Sequence, residues 1–297
     1  MWNTVMPQLL NILASFVYWE DSWAEIFESM DTRLLIDSGA FTAWKQGKEI
    51  QLDDYCAFLK DLPVKPWRYF SLDVVGDAEK TMKNYLIMKD RGFDPVPVFT
   101  RGADIKDFYK YSESSDVVGV GGIAGTSKSL NFVEWLHQEI PSEIKVHWLG
   151  VTVPRMLVRH KPYSADSASF NNAGRFGVVD VYLGKGKWER VSRKELINDS
   201  PSVEVRKALQ SYSPMWKDLQ REETWRTDNR IKDKNGKFVK GTMLPGVISA
   251  QSAIRFSQEI ERKLGTLVFA AFATGHGAYR LRHSYCLENK LGTISEN

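Results

Sequence analysis

Short apolar runs recur along the chain near residues 12–18, 33–37, 69–73, 95–99, 117–121, 146–150, 162–166 and 177–183. Runs of this length with no internal alternation read as strands buried on both faces. Between them, segments such as 52–61, 78–90, 104–112 and 128–140 carry apolar residues at helical spacing. Eight strands alternating with helices predict an α/β protein, a closed (β/α)8 TIM-like barrel. An open doubly wound sheet is the competing arrangement, because periodicity does not encode strand order. Only about ten residues separate Asp166 from Gly177, too few for a regular crossover helix.

A chain of 297 residues with 43% hydrophobic content can bury a substantial core. The pattern places the barrel at 1–185 and a basic, aromatic-containing insertion or extension after the last barrel strand at 186–297. The two are expected to pack as one compact unit. Leu9, Leu10, Ile12 and Leu13 are interrupted by Asn11, Ser15, Glu20 and Asp21, which predicts neither a signal peptide nor a membrane span. The aromatic Trp2–Trp23 region is expected to pack the first strand and helix. Cys56 and Cys286 are far apart in sequence and support neither a disulfide framework nor a cysteine zinc site. That usage points to a reducing cytoplasm.

Charge refines the picture. The net charge is +3, yet between Lys185 and Lys240 basic residues outnumber acidic ones by six, so the remainder is slightly acidic. Such asymmetry suggests a polyanionic partner. Trp188, Tyr212, Trp216, Trp225 and Phe238 are interleaved with these cations, as nucleic-acid binding by stacking requires. A solvated helical surface over a few core aromatics would give the same pattern.

Three stretches place an aspartate where an apolar run ends: Asp37 in Leu34-Leu35-Ile36-Asp37-Ser38-Gly39-Ala40-Phe41, Asp73 after Tyr69-Phe70-Ser71-Leu72, and Asp166 in Tyr163-Ser164-Ala165-Asp166. Strand ends of a parallel barrel share one mouth, where this architecture carries its chemistry. Asp37, Asp73, the Phe99–Gly102 turn, Gly119–Gly125, Trp148–Val151 and Asp166 should therefore converge. Any single aspartate could instead cap the helix that follows it.

Asp-Ser-Gly-Ala-Phe at 37–41, Asp73, Gly-Gly-Ile-Ala at 121–124, Trp-Leu-Gly-Val at 148–151 and Asp166 occur in the order and approximate spacing of the tRNA-guanine transglycosylase superfamily. More narrowly, the chain resembles the small phage-type DpdA group, which inserts 7-deazaguanine derivatives into DNA. The resemblance spans about residues 30–185. It implies that Asp166 is the nucleophile toward the anomeric carbon of a guanosine nucleotide and that Asp37 is the general acid and base. It places Phe41 and Leu149 on the two faces of the base, Asp73 on the guanine edge, and Ser38, Gly39, Gly121, Gly122 and Gly150 around it. Backbone would approach the ring at Gly121 and Gly122.

The same resemblance implies two substrates, DNA and a free 7-deazaguanine such as the 7-cyano base, and a product DNA that resists restriction. The host cytoplasm is the implied setting if a phage encodes the chain, and no cofactor is called for. Cys286 with His276 and His283 is too small a set for the zinc site of the tRNA enzymes, so no metal is expected. Lys185, Lys187, Arg190, Arg280, Arg282 and His283 are the candidate phosphate contacts in place of that zinc region. The glutamine common near the fourth strand of the tRNA enzymes is replaced in the Phe99-Thr100-Arg101 region, and Ala40 stands where larger relatives have a second glycine. The same exchange on tRNA, a non-catalytic nucleic-acid-binding barrel, and retaining glycoside hydrolysis are the alternatives. Oligomeric state is left open by the sequence.

Overall fold

The computed structural model describes residues 9–124, 127–171, 176–213, 215–225, 230–232, 238–240, 244–272 and 275–288. Within the barrel, β1 (Leu10–Ser15), β2 (Thr32–Asp37), β3 (Arg68–Tyr69), β4 (Val98–Thr100), β5 (Val117–Gly121), β6 (Lys145–Trp148) and β7 (Ser164–Ser167) follow the expected runs. All pair in parallel with their neighbours. The ring closes between β3 and β4 through a parallel bridge of Phe70 to Val96, with Val96 N–H donating to Tyr69 O at 2.8 Å and Ser71 N–H to Val96 O at 2.9 Å.

The eighth strand is a correction. Residues 177–183 do not join the ring: Val178–Gly184 (β8) forms an antiparallel hairpin with Lys187–Ser192 (β9). The eighth position belongs to β12 (Leu267–Phe272), which lies between β1 and β7. Two short strands, β10 (Arg230–Lys232) and β11 (Phe238–Lys240), pair with each other in the intervening segment. The barrel therefore does not end at residue 185, and the anticipated extension is an insertion between the seventh and eighth strands. Both runs are apolar for good reason. β12 is buried in the ring, whereas β8 is buried against helix α10 (Leu244–Leu264), with Ser249 and Ser252 hydroxyls accepting from the amides of Asp180 and Tyr182.

The helices flank the ring. In chain order they begin with α1 (Ser22–Glu28), α2 (Ala40–Lys45), α3 (Leu52–Asp61), α4 (Ala78–Asp90), α5 (Ile105–Ser114), α6 (Ser127–Glu139) and α7 (Pro154–His160). α8 (Arg193–Ile197) and α9 (Val203–Tyr212) belong to the insertion, and α10 and α11 (Gly275–Glu288) flank β12. Asp77 and Asp104 cap α4 and α5 by accepting from backbone N–H groups of their first turns, which sets where those helices begin. Only a short 3-10 turn, Ser169–Asn171, is described after β7.

Strand alternation sorts the side chains into two shells. Leu13, Leu35, Phe70, Val98, Val117, Phe269 and Ala271 fill the barrel interior. Ile12, Leu34 and Ile36 point outward to meet Trp23, Phe27 and the helices. Trp23 is fully buried, as expected of that region, while Trp2 lies outside the described residues. At the floor, Arg33 donates to Asn11 Oδ1 at 3.1 Å and to Glu261 Oε1 at 2.7 Å, tying α10 to β1 and β2. Among the described residues no helix is long and apolar enough to cross a membrane.

The topology makes a prediction. A chain ending at residue 185 lacks β12, leaving β1 and β7 as unpaired edges, and should show no cooperative thermal transition by circular dichroism, whereas the full chain should show one. In the full chain, Phe269→Ala should cost about 3–5 kcal/mol by denaturant titration, because it empties the barrel interior.

Candidate active site at the barrel mouth

The mouth is built by backbone geometry at the ends of β2, β6 and β7. β2 delivers Asp37 opposite Ser15 of β1, and the chain turns at once into α2. Gly39 makes that turn with φ +79°, and a Cβ there would lie 2.4 Å from Val17 Cγ2 and 2.6 Å from Ser15 Oγ. The position therefore accepts glycine alone without rearrangement. The amide of Gly39 donates to Asp37 Oδ2 at 2.9 Å, folding the carboxylate back over its own loop.

Ser38 is fully buried, and its hydroxyl donates to Asp73 Oδ1 at 3.1 Å, so the ends of β2 and β3 are linked through the two loops. The Asp73 loop is held in turn by Asn84, whose Nδ2 donates to Leu72 O at 3.0 Å, and by the Val74 amide donating to Thr81 Oγ1 at 2.9 Å. Across the mouth, Asp166 is buried at 7% exposure. Its Oδ1 accepts from the Gly150 amide at 2.9 Å and lies 3.2 Å from His147 Nε2. His147 Nδ1 is 2.8 Å from Ser164 Oγ. Gly150 presents its N–H from a φ of +76°, which a side chain would oppose. Among the described residues Asp166 Oδ2 receives no hydrogen bond, leaving one carboxylate oxygen fixed and the other available.

Asp37 feels both of the other aspartates. Asp37 is raised from 3.8 to about 7, first by desolvation, then by the negative charges of Asp73 and Asp166, against the opposing pull of the Gly39 amide and the neighbouring Ser15 hydroxyl. Asp73 is also raised, by desolvation, with the Ser38 hydroxyl pulling it down. A carboxyl with its pKa near neutrality can both give and take a proton at ordinary pH, the property a general acid–base group needs.

The remaining expected residues divide. Leu149 lies in the mouth beside the backbone of Gly119, where a Cβ would meet it at 3.3 Å. Gly121 faces Val98 and Thr100 across the rim, and Gly122 adopts φ +69° beside Arg101. Phe41 is half exposed on α2, with the Lys45 ammonium 4.3 Å from its ring centroid. Gly125 lies outside the described residues. His147 escaped the sequence reading because one histidine inside an apolar run reads as a satisfied core residue. The available signal was its inward register, two residues before Leu149 on the same strand face.

The basic candidates lie on the β8–β9 hairpin and on α11. Lys187 pairs with Glu204 at 2.6 Å, and Arg190 holds Asp180 through two contacts of 2.7 and 3.0 Å. Lys185 sits in the hairpin turn, its amide donating to Glu259 on the part of α10 that descends toward the floor. Arg280, Arg282 and His283 ride on α11, Arg280 against Gly246 at the start of α10. The aromatic cluster is also largely structural. Tyr212 and Trp225 are buried in a core formed with Val179, Val181, Leu209 and Leu219, Trp216 packs on its edge, and Trp188 packs on Tyr182 and Phe256. The insertion needs these rings to build a core of its own. The Phe238 and His276 side chains lie outside the described residues.

A cavity of about 470 Å³ opens elsewhere, near the N-terminal ends of β6 and β7, lined by His137, Lys145, Arg159, His160 and Tyr163 among others. It contains none of the three aspartates, and the stacked pair His137 and His160 beside it is pushed toward neutrality on the His137 side by burial. No family model and no curated protein matches the chain.

The raised Asp37 has a stability consequence whose sign is fixed by linkage. Its native pKa lies above its ordinary value, so the native state holds the proton more tightly. Stability is then lost as pH rises from about 4 through about 7. Asp37→Asn should raise the melting temperature by about 5 °C at pH 8 and leave it nearly unchanged at pH 4, as read by calorimetry.

Proposed function

We propose that the protein is a transglycosylase that exchanges guanine in DNA for a free 7-deazaguanine base. The observation that carries this reading is the pairing of unlike carboxyls in one mouth: Asp37, able to hold a proton near neutrality, and Asp166, fixed by Gly150 and His147 with one oxygen free. Displacement at an anomeric carbon needs such a pair, one group to receive the sugar and one to manage the proton of the leaving group.

In the proposed cycle the free oxygen of Asp166 attacks C1′ of an unstacked deoxyguanosine. The C1′–N9 bond breaks as Asp37 gives its proton to the departing guanine, and the sugar is held as an aspartyl ester. The incoming base then attacks C1′ through its ring nitrogen and displaces Asp166, and the proton from that nitrogen returns to Asp37. Asp73 accepts from the N1–H and 2-amino group of a guanine-like edge, an edge that adenine does not present. Leu149 supplies apolar surface for the ring. His147 is a positioning residue: with Ser164 it fixes the rotamer of Asp166 without touching substrate. A target in duplex DNA would have to be flipped to reach this mouth.

Denaturing electrophoresis of the protein with guanine-containing DNA tests the reading. The wild type should retain a covalently attached strand and Asp166→Ala none, and wild-type protein without an adduct overturns the proposal. A parallel arm with tRNA separates the polymers, because label entering tRNA alone would move the same chemistry to RNA. Because Asp37 must start protonated, the rate of guanine release should fall about tenfold per pH unit above about 7. Asp37→Asn should remove that limb and slow release by about 10²–10⁴-fold in single-turnover measurements.

A further inference from the structure

Helix α2 carries a second aromatic group that the exchange chemistry does not use. Trp44 is 56% exposed, an unusual setting for a residue of its size, and stands one turn beyond Phe41. The two rings lie 6.0 Å apart at an interplanar angle of 23°. Lys45 covers Phe41 at 4.3 Å, so the outer ring of the stack is Trp44. Ala40 and Ala43 are the buried residues of the helix and seat α2 against the barrel, while Phe41 and Trp44 remain exposed.

The platform is joined to the site by the shortest possible route. Asp37, Ser38 and Gly39 lead directly into α2, so the rings stand within about two turns of the proton-carrying carboxyl. Its charge is uncompensated: neither Lys45 nor Lys48 makes an ion pair among the described residues, although Lys80 and Glu49 nearby are paired with each other. An exposed flat ring beside cations without a carboxylate partner among the described residues, at the rim of the mouth, matches one ligand chemistry, an unpaired base with its phosphate.

Resting on the exchange reading above, we infer that Trp44 stacks on a base flanking the target nucleotide, with Lys45 and Lys48 on the adjoining phosphates. The site thus reads at least one neighbour of the guanine by its π-face, which holds the strand while the target itself sits in the mouth. Stacking of this kind tolerates any base and does not tolerate a missing one.

Fluorescence anisotropy with a labelled single-stranded 12-mer containing one guanine tests this, using the full chain. Trp44→Ala should weaken binding about tenfold, and Trp44→Phe should stay within about twofold of wild type. A second 12-mer with abasic residues on both sides of the guanine should bind the wild type about tenfold more weakly and Trp44→Ala no more weakly than the intact strand does. Equal binding of the intact strand by wild type and Trp44→Ala overturns the inference, as does an abasic penalty that persists undiminished in Trp44→Ala. The Asp166-dependent adduct is scored separately on the same strand. An adduct with no Trp44 effect removes only the stacking site, and a Trp44 effect with no adduct removes only the exchange reaction.

Discussion

Burial of the Asp37 carboxyl, with Asp73 and Asp166 beside it at one end of a closed ring, is the constraint on which this molecule turns. Asp37 ends β2, Asp73 lies in the loop after the adjacent β3, and Asp166 is on β7, positions that the curl of the sheet brings to one mouth. Each is restrained by donors supplied locally: the Gly39 amide, the Ser38 hydroxyl, and the Gly150 amide with His147. These contacts keep the groups in place and offset only part of the desolvation of Asp37 and Asp73. Desolvation first, and the neighbouring charges second, are expressed as a raised proton affinity on Asp37, and the rest of the fold supplies the rigidity that prevents the loops from relaxing it away.

That rigidity has two sources. Inside the ring, Leu13, Leu35, Phe70 and Phe269 pack across the axis directly below the mouth, and His147 packs against Phe70 and Phe269 while holding Asp166. Outside it, the helices bury two apolar clusters, one against β1 and β2 and one against β5 and β6, and the α10 link to Arg33 and Asn11 fixes the floor. The insertion forms a separate core around Val181, Leu209 and Trp225, so its tryptophans and cations serve its own packing and surface pairing.

Much of this was legible in the sequence. The first seven strands and helices α3 to α6 fall where apolar runs and helical spacing put them, because each element is buried by its own local pattern. The strand-end aspartates converge for the same reason. The eighth strand was not legible in that way: Val178–Gly184 and Leu267–Phe272 are both apolar, and composition does not distinguish burial in a ring from burial against a helix. The long helical stretch 244–264 directly before Leu267 was the available sign of a crossover. Lys187 and Arg190 looked free in sequence because Glu204 and Asp180, which bind them, are brought near only by the hairpin and its neighbouring helix. Trp44 drew no notice because exposure is a tertiary property.

The position of β12 also governs how the chain must be made. Its partners β1 and β7 lie far upstream, and Ile12 meets Ala270 across more than 250 intervening residues. During synthesis, seven strands leave the ribosome as an open sheet with two unsatisfied edges, and the last piece arrives only after the whole insertion has been translated. Such a delay favours a slow final step and an interval in which the gap between β1 and β7 is open to wrong partners. The insertion, with its own core, is placed to fold during that wait and to present α10 beside the gap just before β12 emerges to fill it.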